Sequence, residues 1–160
     1  MYALIEKVLA YKTNMIIAIS AWEKESAIKY KICCSDKIHI IPSGVDVCLY
    51  DEERGRYDLN RSKLKIPLNA YIIGMVGRIS YGKGPDLFIK AAALIKEKIP
   101  NAFFVIVGDG EERASVENLL SEMRLKDDFL ITGWVSNPIE YIQLFDQAML
   151  LTRWEGFGLV

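Results

Sequence analysis

Apolar and polar positions follow two different periods along this chain. Continuous apolar runs of strand length, typical of parallel strands that are buried on both faces, cover residues 15–20, 37–41, 71–76, 103–107, 129–132 and 148–152. Segments with apolar residues at helical spacing cover residues 2–11, 21–32, 85–98, 111–123 and 138–145. This alternation predicts an α/β fold, with a parallel sheet covered by helices on both faces.

The alternation is interrupted between residues 43 and 69. This stretch contains a turn, a charged run and one short helical candidate at residues 60–64. We therefore expect a linker over residues 43–69. It separates one β-α-β unit in residues 1–42 from the longer series in residues 70–160.

A glycine-rich loop, Gly77 to Gly84, lies between a predicted strand and a predicted helix. Its glycines let the backbone turn tightly and approach a ligand, and Pro85 suits the first position of the helix. Free amides and the helix dipole favour an anion there, and Arg78 and Lys83 add two positive charges. The loop predicts a phosphate site, although a glycine-rich turn with two solvated cations remains an alternative.

Two well-known phosphate motifs do not fit the loop. The spacing from Gly77 to Lys83 matches the core of a P-loop, but Gly84 stands where a Ser or Thr would hold Mg²⁺. The dinucleotide fingerprint fails as well, because Gly74 and Gly77 are three residues apart. The loop therefore does not predict an Mg²⁺-dependent nucleoside triphosphatase or a dinucleotide-dependent oxidoreductase.

Three further glycine-containing loops begin where predicted strands end, at residues 108–111, 133–136 and 153–158. Right-handed crossovers bring such loops to one edge of the sheet, where open α/β sheets bind ligands. Glu111 lies near this expected cleft. Glu155 stands between a tryptophan and a Gly-Phe-Gly run and has no evident packing use, so we expect it to be functional.

Composition limits the classes of partner and compartment. Hydrophobic residues make up 51% of the chain, which excludes general disorder, and the net charge of −1 favours neither nucleic acid nor an anionic membrane as a bulk partner. Three cysteines without C-x-x-C spacing and a single histidine do not form an ordinary structural zinc site, and they suit a reducing compartment. We expect a cytoplasmic protein without a signal peptide.

An ordered series of short motifs resembles GT-B glycosyltransferases of family 4. The series runs over nearly the whole chain and consists of Ile41-Pro42-Ser43-Gly44-Val45-Asp46, Val76-Gly77-Arg78-Ile79 with Lys83-Gly84, Val107-Gly108-Asp109-Gly110, Gly133, and Glu155-Gly156-Phe157-Gly158-Leu159. The resemblance implies that residues 70–160 are a Rossmann-like domain that binds a nucleotide sugar. It implies that residues 1–42 are the last part of the preceding GT-B domain.

The resemblance also implies roles for individual residues. Arg78 and Lys83 would hold the donor diphosphate, and Glu155, the first acid of the family's E-x7-E motif, would hold hydroxyls of the donor sugar. Trp134 and Val135 would lie at the nucleotide base. The remaining substrate-binding candidates are glycines and one aromatic residue of the strand-end loops: Gly77, Gly108, Gly110, Gly156, Phe157 and Gly158.

The implied reaction is sugar transfer from a nucleotide-sugar donor, with retention at the anomeric carbon, to an acceptor such as a glycan or a lipid-linked saccharide. The enzyme would be a metal-independent hexosyltransferase without a cofactor, in the cytoplasm or at the inner face of the membrane through peripheral attachment of the full-length protein. The second acid of E-x7-E would fall beyond Val160, so we expect a fragment that is inactive alone. The alternative is a non-catalytic Rossmann-like module that binds a phosphosugar or a partner.

Overall fold

The computed structural model describes residues 2–45 and 61–155. The described residues form two compact units, one of residues 2–45 with Glu155 and one of residues 61–154. Each unit has a parallel sheet of its own. The predicted domain boundaries remain predictions, because residues 46–60 of the expected linker lie outside the described residues.

The smaller unit is the expected β-α-β arrangement with a helix before it. It contains α1 (Tyr2–Lys12), β1 (Ile16–Ala18), α2 (Ala21–Lys29) and β2 (Ile38–Ile40), and β1 and β2 pair in parallel. Ser20 caps the start of helix α2, and its hydroxyl accepts a hydrogen bond from the Glu23 amide at 3.2 Å. The Glu23 carboxylate in turn accepts from the Ile19 amide at 3.0 Å. This reciprocal pair fixes the start of the helix.

Few large apolar side chains of the smaller unit are buried. Among residues 3–45, Ala10, Ala18 and Ile38 are the buried apolar residues. Larger apolar side chains of α1, β1 and α2 are exposed, namely Leu4, Ile5, Val8, Leu9, Ile17 and Trp22. The apolar stripe predicted for α1 therefore remains largely uncovered within this unit.

The larger unit alternates strands and helices as the apolar pattern predicts. Its elements are β3 (Tyr71–Val76), α3 (Pro85–Lys98), β4 (Ala102–Val107), α4 (Arg113–Glu122), β5 (Phe129–Ile131), α5 (Ile139–Ile142) and β6 (Gln147–Ala148). The four strands are parallel in the order β5-β4-β3-β6. Because β3 has β4 on one side and β6 on the other, the chain reverses direction across the sheet at β3, where α/β folds place their binding crevice.

Alternate residues of β3 and β4 enter two separate cores. Ile73 and Phe104 point to the face that is covered by α3 and α4, where the rings of Phe104 and Phe88 meet edge to face at 5.9 Å. Ile72 and Val105 point to the opposite face, which is covered by α5, the turns after it and residues 64–70. The sheet thus has helices on both faces, as predicted, and holds its strand ends on a rigid support.

Three predictions of secondary structure are wrong. Only Ala148 of the expected strand 148–152 belongs to a strand, the two-residue β6, and the expected helix 138–145 is reduced to the single turn of α5. Met149, Leu151, Leu144 and Phe145 nevertheless pack against the cores, so their apolar character reflects burial rather than regular structure. Residues 61–64 of the short helical candidate lie in a turn, and Asn60 lies outside the described residues.

None of the helices within residues 2–45 and 61–155 has the length and apolar character that a membrane span requires.

Candidate functional site

The loops after β3 and β4 are joined by backbone hydrogen bonds at the carboxyl edge of the sheet. The Gly77 amide donates to the Val107 carbonyl at 3.0 Å, and the Ile79 amide donates to the Asp109 carbonyl at 2.9 Å. The Ile79 carbonyl accepts from the Glu112 amide at 3.0 Å. Two loops that are thirty residues apart in sequence therefore form one continuous surface.

This surface requires glycine at residue 108. Gly108 has a φ of 144°, and a Cβ there would overlap the carbonyl oxygen of Gly77. Gly110 is confined in the same way, because its Cβ would overlap the carbonyl oxygen of Ile79. The two glycines let the neighbouring backbones touch, which explains their presence without a ligand.

A cavity of about 460 Å³ opens where these loops meet the loop after β5. Its lining comes from the ends of β3 and β4 and from the segment before α5: Val76, Gly77, Arg78, Val107, Gly108, Asp109, Trp134, Val135 and Pro138. Its lining includes Arg78, which carries a guanidinium, and Trp134, whose surface is 79% exposed. A cation and a flat apolar group thus face the same space.

Arg78 forms an exposed ion pair with Glu111. The Arg78 Nε donates to the Glu111 carboxylate at 3.0 Å, and the two side chains are 71% and 56% exposed. A hydrogen bond from its own backbone amide, together with the charge of Arg78, lowers the pKa of Glu111. Exposed pairs of this kind contribute little stability, so Arg78 can exchange Glu111 for another anion at low cost.

Asp109 has a second set of partners at the cavity wall. Its carboxylate accepts from the Gly110 amide at 2.8 Å and from the Arg113 guanidinium at 3.2 Å. Arg113 also donates to Glu117 at 2.9 Å, and this hydrogen bond is the main cause of its raised pKa. These bonds hold the Asp109 carboxylate on the α4 side of the cavity.

The glycine-rich loop has the geometry that its sequence predicts. After Arg78 the chain forms a 3-10 turn at Tyr81–Lys83, and Gly84 takes the left-handed conformation with a φ of 67°. Pro85 follows as the first residue of α3. The Leu87 and Phe88 amides donate to the Gly84 carbonyl at 3.0 and 3.1 Å. Helix α3 therefore begins two residues after Lys83.

A second arginine, Arg153, forms hydrogen bonds to this turn and to the first turn of α3. Its guanidinium donates to both oxygens of the Asp86 carboxylate at 2.9 and 2.8 Å, and to the Tyr81 carbonyl at 2.7 Å. It also lies 4.0 Å from the centre of the Tyr81 ring. We call the set Tyr81, Asp86 and Arg153 the Arg153 clasp.

The clasp perturbs both of its charged members. The hydrogen bond from Arg153 is the main cause of the lowered pKa of Asp86, and Lys90 adds a further positive charge at 3.7 Å. The same bond is the main cause of the raised pKa of Arg153. Asp86 therefore remains ionised at pH values well below neutral, and Arg153 remains ionised at pH values well above neutral.

The structure brings together five of the predicted site residues. Gly77, Arg78, Gly108, Trp134 and Val135 line one cavity.

The other predicted residues differ in their placement. Lys83 ends the turn held by the clasp, whereas Gly110 packs against the Ile79 backbone. Glu155 is grouped with the smaller unit. Gly156, Phe157 and Gly158 lie outside the described residues.

Sequence reasoning gave no role to several residues that the geometry singles out. Asp109 and Pro138 line the cavity, and Asp86 and Arg153 form the clasp. Asp109 belongs to a quoted motif and could have been found from its position after β4. The pairing of Asp86 with Arg153 spans 67 residues, and no local pattern signals it.

Within the described part of the chain, no group of three or more His, Cys, Asp or Glu side chains is arranged to hold a metal ion.

Comparison with known families gives the cavity a context. The model of the family described as "Glycosyl transferases group 1" matches residues 57–160, which include all the residues that line it. The chain belongs to this family.

Curated glycosyltransferases are similar over most of the chain. A UDP-Gal:alpha-D-GlcNAc-diphosphoundecaprenol alpha-1,3-galactosyltransferase of Escherichia coli is 34% identical over 161 residues, which cover 99% of this chain and 42% of that protein. An alpha-D-kanosaminyltransferase of Streptomyces kanamyceticus is 36% identical over 91 residues, which cover 56% of this chain and 24% of that protein. The chain therefore spans less than half the length of these glycosyltransferases.

Solved glycosyltransferases show the same fold. Anabaena HepE in complex with UDP and glucose superposes with a TM-score of 0.78 at 18% identity, over 95% of this chain and 42% of that one. S. aureus TarM in a complex that includes UDP gives a TM-score of 0.74 at 20% identity, over 94% of this chain and 27% of that one. The fold is that of GT-B glycosyltransferases, as the motif series implies.

Proposed function

We propose that this chain is the donor-binding part of a retaining glycosyltransferase that transfers a sugar from a nucleoside diphosphate sugar. The cavity at the carboxyl edge of β3, β4 and β5 carries the proposal, because it combines a guanidinium with an exposed indole. Family membership supports a glycosyl donor as its ligand. The relative from E. coli is named for UDP-Gal as its donor.

The lining divides the cavity between the two halves of such a donor. Trp134 and Val135 offer an apolar surface and backbone groups to a nucleotide base. Arg78 lines the same cavity, and its guanidinium can hold phosphate oxygens through a two-pronged hydrogen bond. Lys83 and the start of α3 lie further along the same loop and suit the second phosphate.

The proposed chemistry uses these cations to stabilise the leaving group. As the bond between sugar and diphosphate breaks, negative charge grows on the diphosphate, and fixed positive charges stabilise that state more than the bound donor. Arg78 and Lys83 would supply this charge without a metal or a cofactor. By resemblance to the family, Glu155 would hold donor-sugar hydroxyls, with Gly156, Phe157 and Gly158 beside it.

The acceptor is proposed from the relatives. The E. coli protein is named for transfer to a lipid-linked GlcNAc diphosphate, and we propose an acceptor of that class, a lipid-linked saccharide or another glycan. Such an acceptor suits a cytoplasmic enzyme attached peripherally to the membrane. The chain spans 42% of the length of that relative. We therefore expect these residues alone to bind the donor without catalysing sugar transfer.

Calorimetric titration of the full-length protein with UDP, GDP and ADP, and with their sugar conjugates, tests the proposal. We expect saturable binding of one nucleoside diphosphate, and weaker binding in the Arg78→Ala and Lys83→Ala variants. Arg124→Ala is the matched control, because Arg124 lies after α4 and away from the cavity lining. If the wild-type protein binds none of these nucleotides, the proposed function is wrong.

A further inference from the structure

The backbone around Lys83 is intrinsically free to move. Lys83 stands between Gly82 and Gly84, and glycine loses more conformational freedom on ordering than any other residue. A cation that must meet a phosphate needs a fixed position, because ordering it at the moment of binding lowers the affinity. The residues that contact this short segment therefore determine how well Lys83 can bind a phosphate.

Contacts from residues 151–154 supply that constraint on both sides of Lys83. Before it, the Tyr81 carbonyl accepts from the Arg153 guanidinium at 2.7 Å, and the Gly82 carbonyl accepts from the Arg153 amide at 2.8 Å. After it, Asp86 in the first turn of α3 receives the two-pronged bond from the same guanidinium. One side chain thus bridges the two ends of the flexible segment.

Ring packing and close backbone approach reinforce this attachment. The rings of Tyr81 and Trp154 lie 5.9 Å apart. A Cβ at Gly84 would overlap the Leu151 carbonyl oxygen, so the chain before Arg153 touches the loop directly. The Arg153 side chain is 21% exposed, in contrast to the open Arg78. All its described bonds end on the glycine-rich loop or on the first turn of α3.

We propose that Arg153 is a positioning residue for donor binding, which holds Lys83 in place through its clasp on Tyr81 and Asp86. The inference rests on the proposed function, since it assigns Lys83 to the diphosphate. Arginine is required because only its planar fork can bond both carboxylate oxygens and the Tyr81 carbonyl at once. Lysine keeps the charge but reaches these acceptors as a single point.

Hydrogen exchange of the free full-length protein tests the conformational step. The Lys83 amide donates to the Ser80 carbonyl at 3.0 Å and the Gly84 amide to the Tyr81 carbonyl at 3.2 Å, so both report on the turn. In Arg153→Lys we expect these two amides to exchange about tenfold faster, while core amides of β4 keep their rates. Lys90→Ala is the control, because it removes the other ion pair of Asp86 and leaves the clasp intact.

Calorimetry with a graded ligand series tests the link to the donor. The ligands are the nucleoside diphosphate and the nucleoside of the base that the wild-type protein binds. We expect Arg153→Lys to lower the affinity for the nucleoside diphosphate about tenfold and the affinity for the nucleoside less than twofold. Equal losses for both ligands, or no loss for either, would mean that Arg153 has only a structural role. If Arg153→Lys does not fold, Asp86→Asn decides by the same two measurements, because it keeps the shape and removes the charge of the partner. Absent binding by the wild type instead contradicts the proposed function itself.

Discussion

Two arginines of the larger unit, one in the glycine-rich loop and one bonded to it, differ in their surroundings. Arg78 has Glu111 as its one side-chain partner among the described residues, and it is 71% exposed. Arg153 forms a two-pronged hydrogen bond with the Asp86 carboxylate, donates to the Tyr81 carbonyl and lies over the Tyr81 ring. Its side chain is 21% exposed. The same side chain is therefore available to a ligand in one place and committed to the protein in the other.

The difference shows how a binding loop can be both open and ordered. The two terminal nitrogens of the Arg153 guanidinium bond to Tyr81 and Asp86, whereas Arg78 lines the cavity. Under the proposal above, the contacts of Arg153 lower the ordering cost when Lys83 meets a phosphate, while Arg78 meets its phosphate directly. The comparison predicts that substitutions near Arg78 change ligand binding, whereas substitutions near Arg153 change the loop first.

The largest contrast is expected between glycines of the two regions. Gly108→Ala forces a Cβ onto the Gly77 carbonyl at a positive φ, and it should lower the free energy of unfolding by about 2–4 kcal/mol and close the cavity. For Gly82→Ala, the nearest atoms to the new Cβ belong to the side chain of the exposed Trp154, at 2.9 Å. That ring can move, so we expect less than about 1 kcal/mol. Urea unfolding measures both variants.

Gly44→Ala controls for the intrinsic effect of adding a methyl group, because a Cβ there meets no atom within 4 Å. Its unfolding free energy should stay within about 0.5 kcal/mol of the wild type. If Gly108→Ala is as mild as this control, the close approach of the β3 and β4 loops is not a requirement of the site.

Alanine substitution at each arginine should separate an effect on binding alone from one that also lowers stability. Arg78→Ala should weaken the nucleoside diphosphate about 10- to 100-fold, the loss expected for charged hydrogen bonds to phosphate, with an unchanged melting temperature. Arg153→Ala should lower the melting temperature by on the order of a few degrees, because it leaves Asp86 and the Tyr81 carbonyl without their donor. Calorimetric titration and thermal unfolding of both variants give the comparison. A reversed result would exchange the roles assigned to the two arginines.

The fold was largely predictable because burial of whole strands leaves a strong local signal. Both predicted bounds of β3 and α3 are confirmed, since a continuous apolar run and an amphipathic stripe each report directly on burial. The apolar run at 148–152 was misleading. Residues such as Met149 and Leu151 pack against the core after β6 has ended, and composition alone does not distinguish that from a strand.

The candidate site was predictable only in its local part. Gly77, Arg78 and Gly108 follow strands and could be assigned to one edge from topology. The clasp could not, because the bond between Asp86 and Arg153 depends on two side chains that only the folded sheet brings together. Likewise, the choice of Glu111 as the partner of Arg78 follows from the loop geometry at the end of β4.

Acid should weaken the clasp by protonating the Asp86 carboxylate. The pKa of Asp86 is lowered in the folded state by Arg153, with Lys90 as the other facing charge. The stabilisation is complete above the unfolded pKa of about 3.9 and is lost as the pH falls through the lower folded value. Asp86→Asn should therefore lower the urea midpoint at pH 7 and approach the wild type in acid. A constant difference between the two proteins from pH 7 to pH 3 would contradict this account.

The smallest effect is expected at the ion pair of Arg78 itself. Glu111 competes with a phosphate for the guanidinium, and it adds a negative charge beside the cavity that an anionic donor must enter. Glu111→Gln keeps the size of the side chain and removes its charge, so it should tighten nucleoside diphosphate binding about two- to fivefold. The gain should shrink as salt is raised from about 0.05 M to 0.5 M, because screening weakens exposed charges. Glu117→Gln, which alters the partner of Arg113 away from the cavity lining, is the control. Weaker binding by Glu111→Gln would mean that Glu111 orients Arg78 for the phosphate and does not compete with the phosphate for Arg78. Arg78 would then resemble Arg153, because a carboxylate would hold each of them in position.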